Sequence, residues 1–537
     1  MSPWLLDALV LLAYFAAIMT IGLSQRSRSG SVHGFALGDR NIAWWAVLAS
    51  ILAAEISAAT FLGAPGEGFA KRNWTYAQLV IGTILARILV SVIFIPVYYR
   101  HGVTSIYEYL ETRFGGRTRL FASMTFIVTR VLAMGTRLYV SAIILVLAME
   151  MVQGHAASPQ EKFWLYTAAV IGVTVMTAIY TSIGGIKAVI WTDFIQVGVL
   201  VASLGFAIWY LLGRMPEGWD SVTAQIREPV FIETLLPLRE GEGVGDWLLR
   251  VLREEYSLYT ALIGSTFVTL ATHGIDQDTV QRMLTARNKR QSMFATIMSG
   301  IVDLPVVCAF ILIGILLAAF YGQNPPADLP KEGREVFPYF ILHEMPAGLR
   351  GLVTAGVLAT AMGSLSTALN ALATSGCQDF LFRGREGKLA ESRRVSWLRW
   401  ATALFAVLII GVGIATAYYT SMRPEVRIIP LVLGILGYTF GSLLGVFLVA
   451  VFTRRRGNDF GNIIAMVCGF FAVTFMSIPE LQLLAGFTRT DPATGKNLPA
   501  LIIAFPWRVT LGTLTTVAIA LCFRTPEDRH RPASQPA

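Results

Sequence analysis

Long apolar runs alternate with short polar segments along almost the whole chain. A helix needs roughly 20 apolar residues to cross a bilayer, and thirteen runs reach about that length. The pattern therefore predicts an all-α integral membrane protein with about 13 transmembrane helices. They are expected at residues 4–24, 42–69, 75–99, 120–151, 163–183, 190–213, 257–281, 293–321, 347–379, 397–420, 428–453, 460–479 and 500–522.

Positive charges collect on one predicted side of the membrane. The loops and span ends on that side hold 24 lysine and arginine residues, against 16 on the other, where 8 lie in the long loops 214–256 and 322–350. Short cytoplasmic loops are typically enriched in these residues, whereas long loops follow the rule poorly. The distribution predicts a multi-pass protein of the plasma or inner membrane, with its N-terminus outside and its C-terminus in the cytoplasm.

Composition excludes an ordinary soluble enzyme. Hydrophobic residues make up 55% of the chain and charged residues 14%, where soluble domains carry about 25% charged residues. The net charge of +9 comes from loop residues, so no nucleic-acid partner is expected. The four cysteines, Cys308, Cys377, Cys468 and Cys522, are isolated in the sequence, and they indicate neither a disulfide framework nor a zinc site.

Two predicted spans contain residues that disfavour a continuous helix in lipid. The second span holds Glu55 and Pro65, and the seventh holds three threonines, His273 and Gly274 between Thr266 and Asp276. A carboxylate near mid-membrane costs about 2.5–3.5 kcal/mol on insertion scales. Corresponding interruptions in two halves of a membrane protein indicate a transporter site built from inverted repeats. The alternative is a pair of kinked helices whose polar residues face their neighbours.

A third unusual stretch, Thr360–Asn370, is dense in small and hydroxyl residues. Such residues allow two helices to approach closely. Their oxygen atoms are also suitable ligands for a hard cation such as sodium. The residues alone favour neither explanation.

Four motifs resemble one known family. Residues 180–196 contain GG-x-x-AV-x-WTD-x-x-Q, which is similar to a hallmark of the sodium/solute symporter family. Three further stretches, 56–63, 276–288 and 364–374, resemble the family's broken first core helix, the segment after its broken sixth, and its eighth. The family includes transporters of sugars, proline, iodide, monocarboxylates and sialic acid, and the resemblance extends over about residues 35–455.

The resemblance implies a LeuT-like fold, with ten core helices in two inverted five-helix repeats. The repeats are expected at 42–213 and 257–456. An extra helix and the first cytoplasmic loop (1–41) precede them, and an extracellular loop with short helices (214–256) separates them. Two C-terminal helices (457–523) and a disordered cytoplasmic tail (524–537) follow.

The resemblance also implies a sodium site between the first and eighth core helices. Its carbonyl ligands would be those of Ala53, Ile56 and Thr360, and its two hydroxyl ligands would fall on residues 363 and 364. Ser364 matches the family pattern, but Gly363 departs from it. A missing ligand would weaken sodium binding unless water or another side chain replaces it.

A second cation site, known in part of the family, would use Asp193, Ser366 and Thr367, and all three are present. The alternative for Asp193 is an ion pair with an arginine at the inner gate.

The solute-binding residues implied by the resemblance to the sialic-acid branch are Ser57, Thr60 and Gln78. Arg137, in an apolar run, is predicted to bind a carboxylate through its planar guanidinium. Alternatives for Arg137 are a salt bridge with Glu55 or a position at the membrane interface.

Further polar residues lie near these positions. Arg130 is predicted to be structural. Thr269 and His273, in the second break, are predicted to contact solute, although a lone histidine is often structural.

Glu55 stands where other family members carry an amide or an aspartate. It is interpreted as a cation ligand that compensates for Gly363. The alternatives are a proton-coupling carboxylate, since burial raises the pKa of such a group, and an ion pair with Arg137.

These features predict a sodium-coupled symporter that imports a small anionic solute by alternating access and works as a monomer in the lipid bilayer. Sodium is the expected coupling ion, with no other cofactor. A proton-coupled or neutral-solute transporter is the first alternative. A membrane enzyme using His273 and Asp276, or a solute sensor, is the alternative of another class.

Overall fold

The structure is a computed structural model of the 537-residue chain. It describes residues 3–25, 30–155, 157–215, 218–224, 226, 235–322, 325–331, 333–385, 388–422, 428–490, 497–501 and 503–526. Most of the predicted cytoplasmic tail, residues 527–537, lies outside the described residues.

Helices dominate the described chain, as predicted. Ten of them are long and apolar enough to cross a membrane, and the bent pair Trp44–Glu55 and Thr60–Lys71 makes an eleventh candidate span. The count of thirteen therefore stays a prediction. The ten helices are Trp4–Ser24, Thr75–His101, Gly116–Gln153, Pro159–Gly213, Lys289–Gly322, Leu349–Leu381, Glu391–Met422, Ile435–Phe452, Asp459–Ser477 and Phe505–Cys522.

Short helices accompany the long ones. The predicted seventh span, 257–281, consists of the π-helix Thr260–Gly264 and the α-helices Ser265–Gly274 and Gln277–Met283. The loop 214–256 contains Trp219–Thr223 and Val244–Arg253. The other short helices are Val32–Leu37, Gly38–Arg40, Tyr107–Arg113, Gly333–His343 and Pro479–Leu484. A second π-helix, Gly376–Leu381, forms the end of the span Leu349–Leu381.

An ion pair orders part of the loop 214–256. The Arg250 guanidinium donates to both carboxylate oxygens of Glu242, at 2.9 and 2.7 Å. These hydrogen bonds, with one from the backbone of Arg239, lower the pKa of Glu242 to about 2.

The purely helical prediction misses one detail. Strands Thr488–Thr490 and Asn497–Pro499 pair antiparallel, with Arg489 opposite Leu498. The first strand, Thr-Arg-Thr, contains two β-branched residues, which favour extended backbone.

Two predicted spans, 163–183 and 190–213, lie in the helical stretch Pro159–Gly213, which is two helices that meet at a kink at Gly185 (φ 60°, ψ −154°). This positive φ is accessible to glycine at little cost. A Cβ on Gly185 would also lie 2.7 Å from the carbonyl oxygen of Phe35. The glycine of the GG motif thus permits both the break and the close approach of another segment.

The chain divides into two compact units. The first unit comprises residues 1–77, 130–230 and 281–432, and the second comprises 78–129, 231–280 and 433–537.

The first unit is built around the helix Leu349–Ser375, which we call the small-residue helix. Nearly all its residues are buried, and it packs most extensively against Pro159–Gly213. A Cβ on Gly356 would lie 2.5 Å from the Ser203 hydroxyl oxygen. The small residues of this stretch therefore do allow close helix packing.

A buried ion pair ties the N-terminal helix to the start of the small-residue helix. The Asp7 carboxylate accepts hydrogen bonds from the Arg350 guanidinium at 2.7 Å and from the backbone N–H groups of Gly348 and Gly351 at 2.7 and 2.9 Å. The guanidinium also lies 3.6 Å from the ring centroid of Trp4. Asp7 is thus stabilised in an apolar helix by a full set of partners.

In the second unit, the helix Leu79–His101 packs against Ser265–Gly274, and Asp459–Ser477 packs against Phe505–Cys522. The second contact is close, because a Cβ on Gly469 would lie 2.1 Å from the Thr516 hydroxyl oxygen.

Candidate functional site

The second predicted span is broken at Ile56 and Ser57, inside the stretch singled out in the sequence. One helix ends at Glu55 and the next begins at Ala58, and the two residues between them have extended backbone (ψ 100° and 164°). The Ser57 hydroxyl accepts a hydrogen bond from the backbone N–H of Thr60 at 3.4 Å. Ser57 therefore caps the second helix, a structural role that the sequence analysis did not assign.

The break releases carbonyl groups, because the last turn of a helix has no following N–H groups to bind them. Part of this helix end borders a cavity of about 10 Å³, roughly the size of one water molecule. Two of the three predicted carbonyl ligands come from this helix end, and both residues line the cavity. The lining residues are Ala53, Ile56, Gln196, Val197, Leu200, Ala359 and Thr360.

The small-residue helix supplies the other predicted ligands. The Ser364 hydroxyl donates to the Thr360 carbonyl oxygen at 2.7 Å, and both residues are buried. Because the hydroxyl is the donor, its oxygen lone pairs point away from this bond. The two predicted oxygen ligands thus lie side by side in the first unit, although of the two only Thr360 is among the described residues that line the cavity.

Gly363, the residue that departs from the family pattern, also lies close to the Ala53 carbonyl. A Cβ on Gly363 would be 3.3 Å from the Ala53 carbonyl oxygen and 2.8 Å from the Gln196 amide oxygen. Residue 363 therefore faces the broken helix directly, and the Gln196 side chain occupies the adjacent space.

Asp193 is fully buried and accepts a hydrogen bond from the Ser50 hydroxyl at 2.5 Å. The Arg282 guanidinium donates to the carbonyl oxygen of the same Ser50. Ser50 thus links the WTD aspartate to an arginine that was not singled out in the sequence. Both the cation site at Asp193 and its alternative, an ion pair with an arginine at the inner gate, stay predictions.

Ser366 and Thr367 donate to carbonyl oxygens of their own helix. The Gly363 carbonyl accepts from both hydroxyls, at 3.1 and 3.0 Å. Their oxygens keep lone pairs for a cation, so the second cation site stays a prediction.

Glu55 is the last residue of its helix, is half-buried, and is close enough to the Tyr76 hydroxyl to interact with it electrostatically. Among the described residues, those lining the small cavity do not include Glu55.

The predicted solute residues of the first unit are Ser57, Thr60 and Arg137. The hydroxyl oxygens of Ser57 and Thr60 are 3.3 Å apart at the break. Arg137 is half-buried on the helix Gly116–Gln153, on which Arg130 is 5% exposed. Arg137 is thus the more exposed of the two, and its contact with a carboxylate stays a prediction.

The second unit contains the second break, at Ile275 and Asp276. Asp276 accepts from the backbone N–H of Asp278 at 3.1 Å and so caps the next helix. His273 is 4% exposed, and its Nδ1 lies 3.0 Å from the Thr272 hydroxyl oxygen.

Gln78 and Thr269, the other two predicted solute residues of the second unit, are buried, and Gln78 donates to the Tyr256 carbonyl. Their contact with solute, like that of His273, stays a prediction.

One group of hydrogen bonds, centred on Gln281, was not predicted from the sequence, although Gln281, Asn370 and Thr374 lie in two of the quoted motifs. The Gln281 amide nitrogen donates to the Ala36 carbonyl at 2.7 Å, to the Asn370 side-chain oxygen at 2.6 Å and to the Thr374 hydroxyl at 3.1 Å. The polar residues of the VQR and ALN motifs were signals for this contact.

The chain belongs to the sodium:solute symporter family, whose pattern it matches over residues 35–469. It is therefore a secondary transporter and not an enzyme, and sodium is its coupling ion.

Comparisons with known proteins agree with the family assignment. The chain is 27% identical to the sodium/sialic acid symporter of Aliivibrio fischeri over 84% of this chain and 83% of that protein. It is also 27% identical to the sodium/sialic acid symporter of Proteus mirabilis, over 83% and 84% of the two chains. The structure is similar to that of a Na+-coupled sialic acid symporter (TM-score 0.76, 22% identity), over 96% and 97% of the chains. This likeness confirms the LeuT-like fold.

Proposed function

We propose that this chain couples inward sodium movement to the uptake of a small carboxylate-bearing solute, of which a sialic acid is the first candidate. The observation that carries the proposal is the ion-sized cavity at the first helix break, in a member of a sodium:solute symporter family.

Sodium would bind where the broken helix meets the small-residue helix. Carbonyls of Ala53, Ile56 and Thr360 and the Ser364 hydroxyl supply oxygen ligands, and the negative end of the helix dipole at Glu55 favours a cation. An ion that contacts both helices stabilises the conformation in which they are close. In alternating access, this conformation would be the outward-open one that orders the solute site.

Two observations support an anionic solute. The relatives from Aliivibrio fischeri and Proteus mirabilis are both sodium/sialic acid symporters. In this chain, Arg137 offers a half-buried guanidinium, which binds a carboxylate through two parallel hydrogen bonds. The Ser57 and Thr60 hydroxyls would bind polar groups of the same solute. We further propose a functional monomer in the plasma or inner membrane, with an external N-terminus and a cytoplasmic C-terminus.

Counterflow in proteoliposomes tests this function. Vesicles loaded with unlabelled N-acetylneuraminic acid should accumulate the labelled compound, and an inward sodium gradient should drive net uptake. Exchange of a neutral polyol but of no carboxylate would contradict the anionic solute. Uptake driven by a proton gradient but not by sodium would contradict the coupling ion.

Arg137→Lys tests the carboxylate contact. An ammonium does not reproduce the planar fork, so we expect the half-saturating solute concentration to rise about tenfold, equivalent to about 1.4 kcal/mol. The matched control is Arg130→Lys on the same helix, which should leave this concentration unchanged. Equal solute affinity in Arg137→Lys and the unmutated protein would rule out the proposed contact between the Arg137 guanidinium and the solute carboxylate.

A further inference from the structure

Gln196 ends the WTD-x-x-Q motif and has no role in the sodium site implied by the family resemblance. Its side chain is buried, with 2% exposed. Its amide oxygen lies 2.8 Å from the position that a Cβ on Gly363 would occupy, and the Ala53 carbonyl oxygen lies 3.3 Å from that position. The amide oxygen and a predicted sodium ligand thus converge on the place where the family pattern has a hydroxyl side chain.

The Gln196 amide makes no hydrogen bond of normal geometry to any described protein atom, through either its oxygen or its nitrogen. A buried polar group without such a partner is unfavourable. The Gln196 side chain also lies close enough to the Tyr14 and Tyr180 hydroxyls to interact with both. The amide oxygen lies beside the position that a Cβ on Gly363 would occupy, and Gln196 lines the cavity together with Ala53, Ile56 and Thr360.

We propose that the Gln196 amide oxygen is the sodium ligand that replaces the hydroxyl missing at Gly363. The proposal rests on the proposed function, because it assumes sodium at this break. A side-chain amide oxygen is a neutral, hard ligand of the kind that coordinates alkali and alkaline-earth cations. With it, the site has five protein oxygens, from Ala53, Ile56, Thr360, Ser364 and Gln196.

The glycine and the glutamine are then linked. A Cβ 2.8 Å from the amide oxygen is closer than van der Waals contact allows, so a serine at 363 would displace the Gln196 side chain. One position holds either a hydroxyl from residue 363 or the amide from residue 196. Gln196 is a better candidate than Glu55 for the missing ligand, because its amide oxygen lies 2.8 Å from the position of a Cβ on Gly363.

The test measures sodium binding without a solute. The full-length protein is purified in detergent, and its melting temperature is followed as sodium chloride replaces choline chloride at constant ionic strength. Sodium that binds the folded state raises the melting temperature, and the titration midpoint reports affinity. We expect Gln196→Ala to raise this midpoint at least tenfold. Gln196→Met, which keeps the side-chain length, should raise it similarly and controls for the lost volume.

The decisive variant is the double mutant Gln196→Ala/Gly363→Ser. Its new hydroxyl should return the sodium midpoint to within about threefold of the unmutated protein, a residual of about 0.6 kcal/mol. Gln196→Ala/Gly363→Ala is the matched control, because it adds the Cβ without the oxygen and should not restore affinity. Equal recovery in both double mutants would show that packing, not ligation, was lost.

Two negative results are distinguishable. If the unmutated protein gives the same melting temperature in sodium and choline, sodium does not bind at this break, and both proposals are wrong. If sodium stabilises the unmutated protein and Gln196→Ala with the same midpoint, only the assignment of Gln196 is overturned.

Discussion

The two helix breaks look alike in sequence but end their helices differently. At the first break, Ala53 and Ile56 line a cavity that Gln196 also lines. At the second break, the Gly274 carbonyl accepts a hydrogen bond of 2.6 Å from the Tyr98 hydroxyl. The backbone of the second break is therefore bound by protein, whereas the first borders a space of ionic size.

Gln277 closes the second break further. Its amide oxygen accepts from the backbone N–H of Ile106 and its amide nitrogen donates to the Thr104 carbonyl, both at 2.9 Å. Freed backbone groups at membrane depth need partners. The role of a break therefore depends on what binds its freed backbone groups. Protein partners hold the second break in place, whereas oxygen atoms around a cavity make the first break a candidate ion site.

The largest expected effect on this contrast comes from Gln277→Ala. It leaves two buried backbone groups without their partners, so we expect the free energy of unfolding to fall by about 2–5 kcal/mol. Melting temperature in choline chloride measures the loss, and Gln153→Ala, at an exposed position, is the control. The sodium midpoint should stay within twofold. A large shift of this midpoint without loss of stability would contradict the interpretation that protein partners hold the second break in place.

Ser364→Ala should have the reverse effect of Gln277→Ala, because it should change the sodium midpoint more than the stability of the protein. Removing a hydroxyl that contacts a cation costs about 1.5–3 kcal/mol, as for hydrogen bonds to charged groups, which corresponds to a rise of roughly 10- to 100-fold in the sodium midpoint. Ser299→Ala is a matched control, because the Ser299 hydroxyl makes a similar 2.7 Å bond to the Thr296 carbonyl. Unchanged sodium dependence in Ser364→Ala would contradict the site.

Glu55→Gln tests whether the carboxylate next to the first break contributes by ligation or by charge alone. Because Glu55 does not line the cavity, we expect a rise in the sodium midpoint of roughly three- to tenfold, as for a charge acting through a medium of high effective dielectric. Glu67→Gln, on the following helix, is the control for a carboxylate paired with Lys71 at 3.5 Å.

Two other outcomes for Glu55→Gln would support the alternative roles of Glu55. Loss of the response to a pH gradient, with exchange intact, would indicate proton coupling. Loss of folded protein that neutralising Arg137 partly restores would indicate an ion pair.

The smallest expected effect is that of Tyr98→Phe. It removes one hydrogen bond at the second break and should lower the free energy of unfolding by about 1 kcal/mol, without changing the sodium midpoint. Tyr109→Phe loses an equivalent bond to the Ala450 carbonyl, at 3.0 Å. A sodium effect in Tyr98→Phe and not in Tyr109→Phe would show that the second break also influences the ion.

Much of the fold could be predicted because lipid places strict demands on sequence. Apolar runs, glycines and polar residues at membrane depth predicted the helical class and the position of both breaks. The two π-helices and the short hairpin could not be predicted in the same way. They depend on local geometry and contacts that hydropathy does not encode.

The features of the candidate site can be divided in the same way, into those that the sequence determined and those that the packing of the helices determined. The sequence by itself determined the family, the broken helix after Glu55, the hydroxyl of Ser364 and the absence of one at Gly363. Only the tertiary structure decided which atom lies opposite that glycine. Gln196 and Gly363 meet because the helices Pro159–Gly213 and Leu349–Ser375 pack closely through small residues. Contacts between residues so distant along the chain are set by the packing of whole helices and not by the local sequence.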